Sequence, residues 1–211
     1  MKILISQTTV ITVNDNFEIL TDADVVVEGQ NIVYVGPTKE WQEKFTTIID
    51  GRGKLVAPGF VNSHSHAAMS LLRSYADDVP LMYWLEKRIW PMEARLKRED
   101  VYWGTMLALA EMIKGGTTTF ADMYFFMDQV AEAVEEAGIR AVLCRGMVGV
   151  GAEADAALEE SEQFVKHWQG RGDGRISTML GPHAPYTCPP DYLKKVLALQ
   201  EKLNVPLHIH L

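Results

Sequence analysis

Cysteine is nearly missing from this chain. Cys144 and Cys188 are its two thiols, too few for a disulfide framework, so a reducing compartment is expected. A basic surplus is missing as well. Twenty-eight acidic residues against 20 Lys and Arg leave a formal charge of -8, which argues against counterion-releasing contact with a nucleic-acid backbone. No stretch reaches the roughly 18 consecutive apolar residues of a membrane span. The opening MKILISQTTVITV carries one basic residue and an apolar run broken at Ser6 to Thr9, without the long apolar core and cleavage site of a signal peptide. Together these absences predict a cytoplasmic, soluble protein with no nucleic-acid and no membrane partner, and leave a small-molecule substrate open. What is present, 47% apolar and 23% charged residues, is an ordinary core-forming composition.

Residues 1–57 read as β. Ile3 to Val13 is rich in Ile, Val and Thr, and Asn14-Asp15-Asn16 supplies a turn. VVVEGQNIVYVG (25–36) reads as two strands around Gly29-Gln30-Asn31, and short strands are expected at Ile48-Ile49 and Lys54 to Val56. From Ala57 onward apolar runs alternate with helical patterns, the mark of βα units on a parallel sheet. The strand candidates are 59–63, 118–122, 139–144, 176–181 and 206–210. Helical spacing over 98–114 aligns Tyr102, Met106, Leu109 and Ile113, with Gly115 as the stop. The pattern at 128–137 ends at Gly138, and 191–203 follows Pro189-Pro190 with Asp191 as its cap.

The predicted fold class is therefore α/β: a small β-sandwich over 1–57, then, over 58–211, the N-terminal part of a (β/α)8 TIM-like barrel with about five of its eight strands. A doubly wound open sheet is the alternative. Neither GxGxxG nor GxxxxGKS/T follows any strand, which counts against it.

The strongest local signal is His64-Ser65-His66 at a strand end. Side chains at i and i+2 point the same way, so both imidazoles converge on the C-terminal mouth where barrels place their active sites. Neutral imidazole suits zinc and also iron. A second pair, His208-Ile209-His210, ends another apolar strand. Spacing does not say which of these two is the ligand. His210 lies nearer the mouth and is preferred, leaving His208 as a hydrogen-bonded core histidine. His183, between two prolines in GPHAPYTC, is a stiffly held loop residue suited to bonding a substrate or a developing charge. His167 reads as surface, Asp122 as structural, and Glu93 on its own pattern as a solvated helix carboxylate.

APGFVNSHSHAAMSLLR (57–73), WLEKRIWPMEARL (84–96), GPHAPYTC and the terminal HIHL, in that order, resemble the deaminase branch of the amidohydrolase superfamily, and within it the 5-methylthioadenosine/S-adenosylhomocysteine deaminases. The resemblance covers essentially the whole chain. It implies one divalent metal, usually Zn2+ with Fe2+ compatible, held by His64, His66 and His210. No lysine follows the fourth strand, which matches the mononuclear type. It makes Glu93 a contact to ribose hydroxyls, His183 a contact to the base and Arg145 a contact to the substrate's tail. The implied reaction is attack of metal-bound hydroxide on the ring carbon bearing the amine of an adenine-type nucleoside, with release of ammonia. The proton-relaying glutamate is expected at position 213 and the water-activating aspartate later, both beyond Leu211. No catalytic residue is assigned within the chain, and the 211 residues alone are expected to be inactive. Open sheet edges predict self-association, as a homo-oligomer, or need of a complementary piece. The rival readings are a guanine or cytosine deaminase, a triazine chlorohydrolase, and a non-catalytic fragment.

Overall fold

A computed structural model describes residues 1–211, which form two compact units, Met1–Gly59 and Phe60–Leu211. In the first, β1 (Lys2–Ile11), β2 (Ile19–Glu28) and β3 (Asn31–Pro37) form an antiparallel meander through the expected turns. β4 (Thr47–Asp50) and β5 (Leu55–Val56) run parallel to β1, giving one five-stranded sheet of order β3-β2-β1-β4 with β5 on β1. These residues supply a single layer. Val10, Ala23 and Val25 are buried in it, while Ile32, Val33, Ile48 and Leu55 stay exposed.

The second unit is built of parallel strands joined by helices. β6 (Phe60–Ser65), β7 (Thr117–Tyr124), β8 (Arg140–Met147) and β10 (Gly181–Pro182) are ordered β10-β8-β7-β6, with β9 (Ile176–Thr178) also on β8. Crossover helices span Arg98–Lys114, Met127–Ala137, Ala154–Trp168 and Pro190–Leu203. The expected 206–210 strand is present as hydrogen bonding alone. Pro206 O accepts from Leu180 N, His208 N donates to Leu180 O, and His210 N donates to His183 O. Asp191 is not the cap of its helix. Two successive prolines set the start, so Pro189 is the N-cap and Asp191 falls in the first turn.

Phe120, Leu143, Val130, Val134 and Leu109 pack into the main core, and burying each such side chain is worth about 1.5–3 kcal/mol. Two glycines set the geometry near the strand ends. A Cβ on Gly104 would lie 2.6 Å from Ala68 O, so only glycine lets the 98–114 helix sit against the short 3-10 helix Ala67–Leu72. A Cβ on Gly181 would lie 2.7 Å from Arg145 O, so only glycine lets β10 close on β8.

Candidate metal centre

The parallel register aligns Ser65 of β6 with Asp122 of β7. Asp122 is fully buried, and its Oδ1 accepts from Ser65 Oγ at 2.7 Å and from Ala67 N at 2.6 Å. This bond pair grips the odd member of the His64-Ser65-His66 triplet and its C-terminal flank, and so fixes where the two imidazoles on the opposite side stand. Oδ2 has no partner. Burial pushes the carboxyl up to about 6, against the pull of the Ser65 and Ala67 bonds.

One nitrogen from each of His64, His66 and His210 lies within 4.8 Å of the others. His66 Nδ1 bonds Met123 O at 2.5 Å, and His210 Nδ1 bonds His183 O at 2.7 Å. A carbonyl oxygen only accepts, so each Nδ1 carries the proton. Both Nε2 atoms are then bare lone pairs, and they face each other at 3.2 Å. Two such acceptors repel unless something positive lies between them. Zinc–nitrogen bonds of about 2.0–2.1 Å put tetrahedral ligands roughly 3.4 Å apart, so this pair already has the spacing of two ligands. Backbone carbonyls holding the far nitrogen are also the usual second layer of a histidine metal site. The residues fit a divalent cation.

His64, His66, His183 and His208 are all held below the ordinary histidine value, by burial first and then by the neighbouring imidazoles. At neutral pH these rings are uncharged, the state that binds metal.

His66 also borders a cleft of about 520 Å³ walled by Trp84, Leu85, Trp90, Phe125 and Val148, with Glu93 and His183 on its lining. Glu93 is its one carboxylate. It reaches the cleft on a helical stretch whose turns widen at Leu85–Ile89 before resuming at Trp90–Glu93. Pro91 removes the donor that would have paired with Lys87 O, which a wider turn accommodates. Tyr124 Oη donates to Glu93 Oε1 at 2.7 Å, and burial outweighs that bond to raise the Glu93 pKa. Glu93 is thus a held, half-buried carboxylate and not the solvated one its helical pattern suggests. His183 is half-buried with Nδ1 on Thr187 Oγ1 at 2.9 Å, leaving Nε2 unengaged.

The structure therefore brings His64, His66 and His210 together and sets Glu93 and His183 on the adjoining cleft. Arg145 stands apart. Its neighbour Cys144 points inward, so Arg145 points out toward the helices, where Nε donates to Glu160 at 2.6 Å and Nη1 to Gly146 O at 2.7 Å. It lines an outer groove with Phe126 and Trp168. His167 is exposed, as expected. Tyr124 was missed by sequence reasoning, since it carries no periodic signal for its bond to Glu93. His208, expected as a hydrogen-bonded core histidine, is hydrogen-bonded and partly buried, and its partner, which the sequence did not indicate, is His64 Nδ1, met through Nε2 at 2.6 Å.

Residues 55–211 match the amidohydrolase family. The chain is 56% identical over 211 residues to a protein of Pelotomaculum thermopropionicum named 5-methylthioadenosine/S-adenosylhomocysteine deaminase, covering 99% of this chain and 49% of that one. A protein of the same name from Syntrophomonas wolfei is 54% identical over 210 residues, covering 100% and 49%. Among solved structures, an adenosine deaminase from Xanthomonas campestris with bound zinc superposes with a TM-score of 0.85 at 34% identity, covering 99% of this chain and 48% of that chain. A triazine hydrolase from Arthrobacter aurescens gives 0.89 at 25% identity, covering 99% and 52%. The chain thus spans about half the length of the relatives it matches.

Proposed function

Since this chain belongs to the amidohydrolase family, we propose that it forms the metal-holding and substrate-cleft half of an aminohydrolase that deaminates an adenine-type nucleoside. The observation that carries this reading is the pair of unprotonated Nε2 atoms of His66 and His210 facing each other at 3.2 Å, with His64 beside them and an apolar cleft against His66. The three imidazoles would hold zinc, and iron(II) suits the same ligands. When bound, such a cation acidifies water enough to supply a hydrolytic nucleophile at neutral pH.

The rest of the work falls to the chain's own groups. Trp84, Trp90 and Phe125 offer flat apolar walls to a purine ring. Tyr124 holds one oxygen of Glu93, so the other is free to accept from vicinal hydroxyls of a ribose. His183, pinned through Nδ1 by Thr187, presents Nε2 to the edge of the base. In the reaction the carbon–nitrogen bond to the exocyclic amine breaks, oxygen from water replaces it, and ammonia leaves. The cleft lining contains no second carboxylate to relay protons.

A heteroaromatic ring without a sugar is the second reading, favoured by the apolar walls and the likeness to a triazine hydrolase. The discriminating experiment starts from metal-stripped protein, titrated with zinc and then with adenosine, 5-methylthioadenosine, 2′,3′-dideoxyadenosine and a triazine. Binding is read from the fluorescence of Trp84 and Trp90, and ammonia release is followed in parallel on this chain and on a longer form. The proposal expects zinc to bind, ribonucleosides to bind better than the dideoxy compound, and Glu93→Gln to erase that preference. Equal affinity for sugar-free rings and ribonucleosides would favour the second reading, and absence of zinc binding would remove both.

A further inference from the structure

Each of the three converging imidazoles has its Nδ1 engaged, but not by the same kind of partner. His66 and His210 use backbone carbonyls, Met123 O and His183 O. His64 uses another side chain, Nε2 of His208, at 2.6 Å. The two rings are inclined by only 9° with centroids 4.8 Å apart. A bond that short between near-parallel rings whose centres are that far apart requires them to lie edge to edge in one plane, the in-line geometry of an N–H···N hydrogen bond. His208 is partly buried and lies 144 residues along the chain from His64. A core histidine filling space has no need of that alignment.

Resting on the metal-centre reading above, we infer that His208 is the positioning residue for His64, doing for the third imidazole what carbonyls do for the other two. With Nδ1 of His64 engaged, Nε2 is its free nitrogen. A cation on that nitrogen requires the His64 proton on Nδ1, so His64 donates and His208 Nε2 accepts. His208 must then keep its own proton on Nδ1. The one ligand of the three that the backbone does not orient, on the exposed side of the cluster, is aligned instead by a residue two positions before His210. The HIH pair thus has two distinct jobs: His210 is a ligand, and His208 orients a ligand on β6.

The test is metal affinity and tautomer state in the 211-residue chain, measured apart from any turnover. His208→Leu keeps an apolar body but removes the acceptor; His208→Gln keeps an acceptor at similar reach. Zinc dissociation constants by chelator competition should weaken about 10–100-fold in the leucine variant, the usual cost of losing a ligand-orienting partner, and stay near wild type in the glutamine variant. The cobalt-substituted absorption spectrum should shift only in the leucine variant. Equal affinity of leucine variant and wild type overturns the inference, as does a glutamine variant as weak as the leucine one, which would make His208 a ligand itself. Nitrogen-15 spectra of the zinc-loaded wild type need no variant to fold. They should show both His208 and His64 protonated at Nδ1, and a His208 proton on Nε2 refutes the assignment. A wild-type chain that takes no zinc would instead refute the metal centre, a separate result from variants that match a zinc-binding wild type.

Discussion

Replacing Asp122 with asparagine should make the protein more stable at neutral pH, although Asp122 makes two close hydrogen bonds inside the core. In the folded chain burial raises its pKa from 3.8 to about 6. A carboxyl with a raised folded value keeps its stabilising contribution below pH 3.8 and loses it as pH rises through 6. The gap corresponds to about 3 kcal/mol, and the group is fully buried, so solvent does not discount it. Asparagine has nearly the same shape. Its Oδ1 can still accept from Ser65 and Ala67, and its amide occupies the position of Oδ2, which has no partner in either case. Near pH 3, where Asp122 is protonated in the folded and the unfolded chain alike, wild type and Asp122→Asn should unfold together. By pH 7.5 the variant should be ahead by about 3 kcal/mol, or roughly 6–12 °C of melting temperature for a chain of this size. Urea and thermal unfolding of both proteins at half-unit steps between those pH values gives the difference directly, and other titrating groups cancel in it. Parallel curves across the range would refute the reasoning, because they would mean Asp122 ionises as freely in the fold as in the unfolded chain.

Three further outcomes follow from particular contacts. His64, His66, His183 and His208 bind protons less readily when folded, so stability should fall as pH drops through 6.5, and His66→Ala should flatten that slope in a pH series of melts. Gly181→Ala puts a Cβ 2.7 Å from Arg145 O and 2.8 Å from Cys144 Sγ; urea titration should show a loss of about 1–3 kcal/mol from overpacking. Tyr124→Phe removes the 2.7 Å bond to Glu93 and should cost about 1–2 kcal/mol of stability while raising the Glu93 pKa further, read by carbon-13 titration of the carboxyl.

How much of this was legible in advance depended on which physical rule carried the information. Strand alternation was enough to aim His64, His66 and His210 at one mouth, because residues two apart share a side and both runs end at strand termini. The same alternation put His208 on the side of His210 but says nothing about ring plane or partner, so its bond to His64 stayed hidden. Alternation also bears on Arg145. It shares the helix-facing side of β8 with Ala141 and Leu143, opposite Cys144, and reaches Glu160. Glu93 could not be placed by a 3.6-residue period, because the turn before Pro91 does not keep that period. The fifth strand was located correctly by its apolar pattern, yet it survives as a few bonds starting from Pro206, which offers only a carbonyl. The start of the last helix was set by the two prolines, which place Asp191 two residues past the cap.

The carbonyl oxygen of His183 takes both N–H groups of His210, one from the main chain at 3.0 Å and one from the ring at 2.7 Å, while the His183 imidazole lines the cleft. A single peptide unit therefore anchors both the cleft-lining imidazole of His183 and the ring of His210. A shift of that backbone would move the His210 ring together with the imidazole on the cleft lining.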